Sequence, residues 1–175
     1  MQPHPTGVVT DPKTIRRVFA AFPTGVTVVT VGGPTPHGMT ANSFTAVSLD
    51  PPLALVCVGR DAVMHGALSA AGQFGISVLA APQEPVARYF ADRRRPLGRE
   101  QFDFAQWRAG ERTGSPLLVG AVAHFECELW QAYDGGDHSI FIGRLVALDR
   151  ADGDPLLFTD GEFRRLARER TGATT

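Results

Sequence analysis

The run Gly25-Val26-Thr27-Val28-Val29-Thr30-Val31 constrains the fold more than any other segment. Every residue after the glycine is β-branched. Such side chains are stiff at χ1 and suit a pleated surface better than a helix, so the run predicts a strand. No Gly-x-Gly-x-x-Gly follows it, so a dinucleotide, if one is used, is not held in a Rossmann-type crevice. The turn-rich Gly32–Gly38 leads to a second strand over Met39–Leu49, pairing back as a hairpin and broken by Asp50-Pro51-Pro52. Leu53–Val58 reads as a fully buried strand and Phe74–Leu79 as a fourth. Leu117–Tyr133 is strand-rich, Asp134-Gly135-Gly136-Asp137 is a hairpin turn, and His138–Asp149 alternates as its partner. Pro155–Phe158 makes a last short strand before the turn Asp160-Gly161 and a basic tail over 162–175.

Helical signals are fewer. Asp11 and Pro12 form a cap and a first-turn proline, followed by apolar Ile15, Val18, Phe19 and Phe22 at helical spacing, with Pro23 closing the helix. Asp61 is placed to cap a helix running to about Ala71, and Pro82–Phe90 fits another. Residues 91–114, with Asp92-Arg93-Arg94-Arg95-Pro96 and three glycines, read as a long surface excursion of the kind used as a lid or a partner contact. Strands outnumber helices, and the helices lie at the start and between strands. The expected class is mainly β with peripheral helices, a barrel or sandwich rather than a doubly wound sheet.

The 175 residues fit a single domain over 11–165, with a loose N-terminal arm over 1–10 and a C-terminal tail over 166–175. A net charge of −1 carries no nucleic-acid footprint, and no apolar stretch is long enough to span a membrane. Met1–Pro12 lacks a basic-then-apolar secretory layout, and Cys57 and Cys127 sit in apolar runs as small buried hydrophobes. These features point to the cytoplasm. The histidines show no metal-ligand spacing, so no metal site is expected.

Three segments could carry chemistry. In Met39–Ser48, Thr40, Asn42, Ser43, Thr45 and Ser48 crowd polar side chains into one stretch. Such groups need partners if water is excluded. The stretch suits either a flat heteroaromatic ligand with ring donors and acceptors or a solvated edge strand. In Val58-Gly59-Arg60-Asp61, a glycine and an arginine precede a helix start, which forms an anion site or simply a capped surface turn. His138, leaving the Asp134–Asp137 turn, is either a ligand partner or a locally satisfied turn residue.

Together and in this order, these segments resemble the short-chain flavin reductases of two-component flavin monooxygenase systems, which have an FMN-binding split β-barrel. The likeness is carried by Phe22-Pro23-Thr24-Gly25-Val26-Thr27-Val28-Val29, Gly38-Met39-Thr40-Ala41-Asn42-Ser43-Phe44 and Ser48-Leu49-Asp50-Pro51-Pro52-Leu53. Phe74-Gly75-Ile76-Ser77-Val78-Leu79, Gly136-Asp137-His138 and Pro155-Leu156-Leu157-Phe158 with Gly161 and Phe163 complete it. It covers roughly residues 11–165, and the motifs are specific because they stand together in register. Ser77 departs from it, standing where many relatives carry asparagine.

The resemblance implies a single-domain, Greek-key-like split barrel that binds FMN or FAD and uses NADH as co-substrate. It implies that Thr40, Ala41, Asn42, Ser43 and Phe44 lie along the isoalloxazine, and that Cys57, Val58, Gly59 and Arg60 meet the ribityl chain and phosphate. Arg88 and Phe90 would lie near the phosphate or adenosine end. His138 matches a nicotinamide-side histidine, and Ala46 and Phe163 match positions near the pyridine nucleotide. It further implies a homodimer that supplies diffusible reduced flavin to a separate flavin-dependent monooxygenase. No catalytic acid or base is expected, because the cofactors carry the reactivity and the protein stacks and polarises them. Two other readings on the same barrel are a flavin-carrying sensor or electron-transfer module, and an oxidoreductase acting directly on an organic substrate.

Overall fold

A computed structural model describes residues 11–167. The expected arm over 1–10 and most of the 166–175 tail lie outside the described residues. The elements in order are α1 (Pro12–Phe19), β1 (Thr24–Gly25), β2 (Thr27–Val31), β3 (His37–Ala41), β4 (Thr45–Leu49), β5 (Pro52–Gly59), α2 (Val63–Ala71) and β6 (Gln73–Val78). After them come α3 (Glu84–Ala91), β7 (Trp107–Ala109), β8 (Pro116–Leu118), β9 (Ala123–Gly135), β10 (His138–Arg150), β11 (Leu157–Thr159) and β12 (Glu162–Arg164).

Seven strands form one antiparallel sheet in the order β3-β2-β6-β9-β10-β5-β4. Its two edge strands, β3 and β4, are consecutive in sequence and joined only by Asn42, Ser43 and Phe44. From Ala41 to Thr45 such a link reaches at most about 14 Å, so the sheet must curl until its edges nearly meet. The edges do not pair, which leaves a barrel split along the line that residues 42–44 bridge. The expected single strand over Met39–Leu49 is therefore two strands. The chain pairs with β2 as far as Ala41, then crosses the split and pairs with β5 from Thr45 onward.

The β-branched run occupies the place that needs it. Val29 and Val31 face the barrel interior with Val56, Val58, Phe74, Ile76 and Phe141. Val26 and Val28 face an outer layer with Leu79, Ala87, Phe90, Phe102, Leu118 and Leu156. All five residues of β2 are buried. Its two threonines satisfy their hydroxyls on neighbouring backbone: Thr27 Oγ1 donates to Ala41 O at 2.8 Å and Thr30 Oγ1 to Pro116 O at 2.6 Å. Ser77, fully buried, accepts from the Leu118 N–H at 3.0 Å and so ties β6 to β8.

Several sequence expectations are corrected. β5 is not buried on both faces: its burial alternates, with Ala54, Val56 and Val58 inward. The α2 cap is Ala62, without a side-chain hydrogen bond, because the Asp61 carboxylate is taken by Arg93 Nη1 at 3.0 Å. Residues 162–164 form β12 rather than part of a tail, closing on β11 through Asp160 and Gly161 at φ 52° and 77°. Cys57 is only half-buried, whereas Cys127 is enclosed. The Asp11 cap and Pro12 stand as expected, with Asp11 accepting from the Lys13 and Thr14 N–H groups. Most of the apolar face of α1, however, is left uncovered: Val18, Phe19 and Phe22 are exposed and only Ile15 is half-buried.

Within 91–114 a buried carboxylate organises the backbone. One oxygen of Glu126 accepts from the Arg112 N–H (3.0 Å), the Thr113 N–H (2.7 Å) and the Thr113 hydroxyl (2.8 Å). Burial pushes its pKa up, but the bonds from Thr113 and Arg112 outweigh burial and hold it below the ordinary 4.5. A lowered folded pKa contributes stability that is complete above the ordinary value and lost as pH falls through the lowered one. Glu126→Ala is expected to cost roughly 2–3 kcal/mol at neutral pH and to flatten the acid limb of the stability–pH curve. Urea unfolding between neutral and acidic pH measures both effects.

Candidate active site

The split opens into a cleft of about 670 Å³. One wall is the end of β3 with the crossing segment, from Met39 to Ser43. The other is the end of β5 with the start of β10, where Gly59 pairs with His138. Strand alternation decides which β5 residues face it. Cys57 and Gly59 line the cleft, while Val58 points into the core. Gly59 keeps the wall close: a Cβ there would lie 3.1 Å from Asp61 Oδ1 and 3.6 Å from His138 Nε2.

Of the polar stretch, Thr40, Asn42 and Ser43 line the cleft. Thr40 Oγ1 donates to Ala87 O at 2.7 Å, which fixes the middle of α3 against β3. Ser43 Oγ donates to Cys57 O and accepts from Cys57 N, both at 3.0 Å, which pins the crossing segment to β5. These two hydroxyl protons are committed within the chain. The exposed Asn42 amide lines the cleft with no hydrogen-bond partner among the described residues, so its donors and acceptor remain free for a ligand. Phe44 turns away from the cleft and stacks on Phe125 with centroids 5.2 Å apart.

Arg60, Arg93 and Arg16 bring positive charge to the mouth, beside Asp61 and Asp137. Arg60 Nε donates to Gly136 O at 2.9 Å and its Nη2 to Asp134 Oδ1 at 2.8 Å, so the guanidinium is held by the β9–β10 turn. That pair is solvent-exposed and of little worth to stability, but it sets where the charge stands. His138 Nδ1 lies 2.8 Å from Asp137 Oδ1, which orients the half-exposed ring with Nε2 beside Gly59. The His138 hydrogen bond, followed by its charge, holds the Asp137 carboxyl below the ordinary value.

Of the residues singled out from sequence, the cleft gathers Thr40, Ala41, Asn42, Ser43, Cys57, Gly59, Arg60 and His138. Arg88 is not among them: it pairs with Glu84 at 2.8 Å and lies over the Phe163 ring at 4.8 Å. Phe163 packs with Phe158 against the outer layer, and Ala46 sits exposed on edge strand β4. Phe90 is fully buried and borders a second chamber instead. Sequence reasoning missed Arg16, Met39, Asp61, Ala62 and Arg93 as lining residues. Arg16 comes from α1 and Arg93 from the arginine run just after α3, and nothing in either segment's sequence ties it to the cleft. Among the described residues no three metal-ligating side chains gather, and no helix is long and apolar enough to cross a membrane.

The arrangement suits a flat, polar-edged ring with an anionic tail. The wall is narrow at Gly59, an uncommitted amide faces the crossing segment, and cations stand at the mouth. Known proteins share this sequence pattern and fold. Residues 19–167 match the model of the flavin reductase like domain. The chain is 56% identical over 167 residues to an NADH-dependent FAD reductase of Streptomyces globisporus, covering 93% of this chain and 92% of that protein. It superposes on the crystal structure of the flavin reductase component of a bacterial two-component tryptophan halogenase with a TM-score of 0.87 at 59% identity, covering 89% of this chain and 98% of that one. An NADH:FAD oxidoreductase of Streptomyces globisporus, solved with NAD and FAD fragments, gives 0.86 at 53% identity over 94% of this chain and 99% of that one. The split barrel, the cleft along its seam and the match over nearly all described residues place this chain in the flavin reductase like family.

Proposed function

We propose that this protein is an NADH-dependent flavin reductase that reduces diffusible FMN or FAD and releases it to a separate flavin-dependent monooxygenase. The observation that carries the reading is the cleft on the barrel seam, lined by the free Asn42 amide on one side and His138 on the other. In such a reductase, hydride passes from C4 of the nicotinamide to N5 of the flavin, and the two cofactors supply all of the bond-making chemistry. The chain's part is placement. Ala41–Ser43 present the polar edge, and Gly59 admits a flat ring close to the β5 backbone. Arg60 and Arg93 meet the phosphate, and His138, braced by Asp137, orients the incoming nicotinamide. An open cleft rather than a closed cavity fits a substrate that comes and goes.

A homodimer belongs to this reading. Val18, Phe19 and Phe22 on and after α1, and Trp130 and Tyr133 on the β9 arm, are large apolar side chains left half or more exposed. Apolar surface of that extent on a small domain is what a protein partner covers. Light scattering in solution is expected to give twice the chain mass.

Anaerobic mixing of the protein with excess NADH and free flavin tests the activity. Flavin absorbance is expected to bleach over many turnovers. No turnover with either FMN or FAD contradicts the proposal. Flavin that co-purifies yet stays oxidised with NADH indicates a flavin-carrying module instead. Arg60→Ala is expected to weaken flavin binding roughly tenfold by removing a charge-assisted phosphate contact. Fluorescence titration of FMN measures it, and an unchanged dissociation constant removes Arg60 from the site.

A further inference from the structure

The arginines at the cleft mouth carry acidic partners, and those partners stand in different places. Asp134 takes Arg60 Nη2 at 2.8 Å from the end of β9 and is not part of the cleft lining. Gly136 O holds the same guanidinium through Nε at 2.9 Å. Asp61 takes Arg93 Nη1 at 3.0 Å and lines the cleft together with the arginine it binds. Among the described residues, Asp61 is the one hydrogen-bond partner of the Arg93 guanidinium.

The Asp61 carboxylate reaches from the narrow wall to the mouth. Its Oδ1 lies 3.1 Å from the point where a Cβ on Gly59 would stand, and His138 Nε2 lies 3.6 Å from that point. Its Oδ2 meets Arg93. Nothing in the fold requires a carboxylate here. The cap of α2 is Ala62, without a side-chain bond, and the Asp61 side chain is 71% exposed. The hydrogen bond from Arg93, followed by its charge, holds the Asp61 carboxyl below the ordinary value, so it is ionised at neutral pH.

A flavin phosphate at this mouth needs the same partner. Carboxylate and phosphate are both oxyanions that a guanidinium binds through the same N–H edges, and two anions set beside one cation repel each other. We propose that Asp61 is an internal competitor for the flavin phosphate: it holds Arg93 when no phosphate is bound, yields it as FMN enters and reclaims it as the flavin leaves. The inference rests on the flavin-reductase reading and deepens it, by naming the residue that shortens the stay of flavin in the cleft. An exposed ion pair suits the role, because it is weak enough to exchange. The Arg60–Asp134 pair does not share it, since Asp134 lies outside the space that the ligand would fill.

The test removes the competing charge. Asp61 is exposed and caps no helix, so Asp61→Asn and Asp61→Ala leave the core intact. Dissociation constants by fluorescence titration and dissociation rates by stopped flow are measured at low ionic strength for FMN and for riboflavin, which has the ring and ribityl chain but no phosphate. Both variants are expected to bind FMN roughly three- to tenfold more tightly than the wild type, with its dissociation slowed at least twofold and riboflavin binding changed less than twofold. The gain for FMN is expected to shrink as salt is raised.

FMN bound no more tightly by the variants overturns the proposal, and weaker binding would show that Asp61 instead steadies Arg93 for the phosphate. Equal gains for FMN and riboflavin overturn it too, because the effect would then lie on the ring. So does a gain carried wholly by faster association, which would make Asp61 no more than a part of the general field at the mouth. A wild type that reduces neither flavin is a separate result: it contradicts the flavin-reductase reading, whereas the comparison of FMN with riboflavin is made on binding alone.

Discussion

Replacing His138 by alanine is expected to lower kcat/KM for NADH roughly 10- to 100-fold while the flavin dissociation constant moves less than about threefold. The asymmetry follows from position. His138 opens β10 opposite Gly59, with its Nδ1 anchored on Asp137 at 2.8 Å and its ring half exposed at the cleft. It is free to act on a ligand that enters from solvent. On the proposed reading the flavin, by contrast, is held from the crossing segment and the β5 end rather than by the His138 ring. Losing one oriented hydrogen bond to the visiting nucleotide costs about 1.5–3 kcal/mol when either partner is charged. Asp137→Asn, which keeps a partner for the ring but removes the charge, is expected to lose less. Steady-state kinetics together with flavin titration separate the two quantities. Equal losses in both would contradict the role.

The largest effect on stability is expected at Gly143. It stands where β10 shifts register against β9, between Ile142 and Gly143. A Cβ there would fall 2.5 Å from Phe74 Cζ and 2.7 Å from Cys127 Cβ. Phe74 and Cys127 are both fully buried in the barrel interior, so neither can retreat into solvent. Gly143→Ala is expected to cost about 3 kcal/mol, at the upper end of overpacking penalties, and to lower Tm by roughly 6–12 °C. Calorimetry measures this. A variant melting within a degree or two of the wild type would show that the interior is looser than the contacts require.

What was legible in the sequence was mostly local chemistry. The β-branched run announces β2, because a strand buried on both faces must draw on Val and on threonines that can bond backbone. Asp134–Asp137 and Asp160-Gly161 announce their turns through residues that tolerate positive φ, as Gly136 and Asp160 do. What stayed hidden depends on partners far along the chain. Alternation through Met39–Leu49 breaks at Asn42-Ser43 and again at Ala46-Val47, but such a break equally suits a bulge within one strand, so it does not show that pairing passes from β2 to β5 at Asn42–Phe44. Asp61 has the chemistry of a cap, but Arg93, 32 positions away, claims it. The α1 stripe has the spacing of a core face, yet it is left uncovered in the single chain. The cleft was legible where its residues came in motifs, at 40–43, 57–60 and 137–138. It was not where they came from outside those motifs, as with Arg16 on α1 and Arg93 in the 91–114 excursion.

The central claim is that the seam between the two sheet edges seats the flavin ring. A crystal structure of the protein soaked with FMN or FAD tests it most directly. The account predicts the tricyclic ring beside residues 41–43, its tail toward Arg60 and Arg93, and its outer face open toward His138. A ring bound elsewhere, with the seam empty, would contradict it.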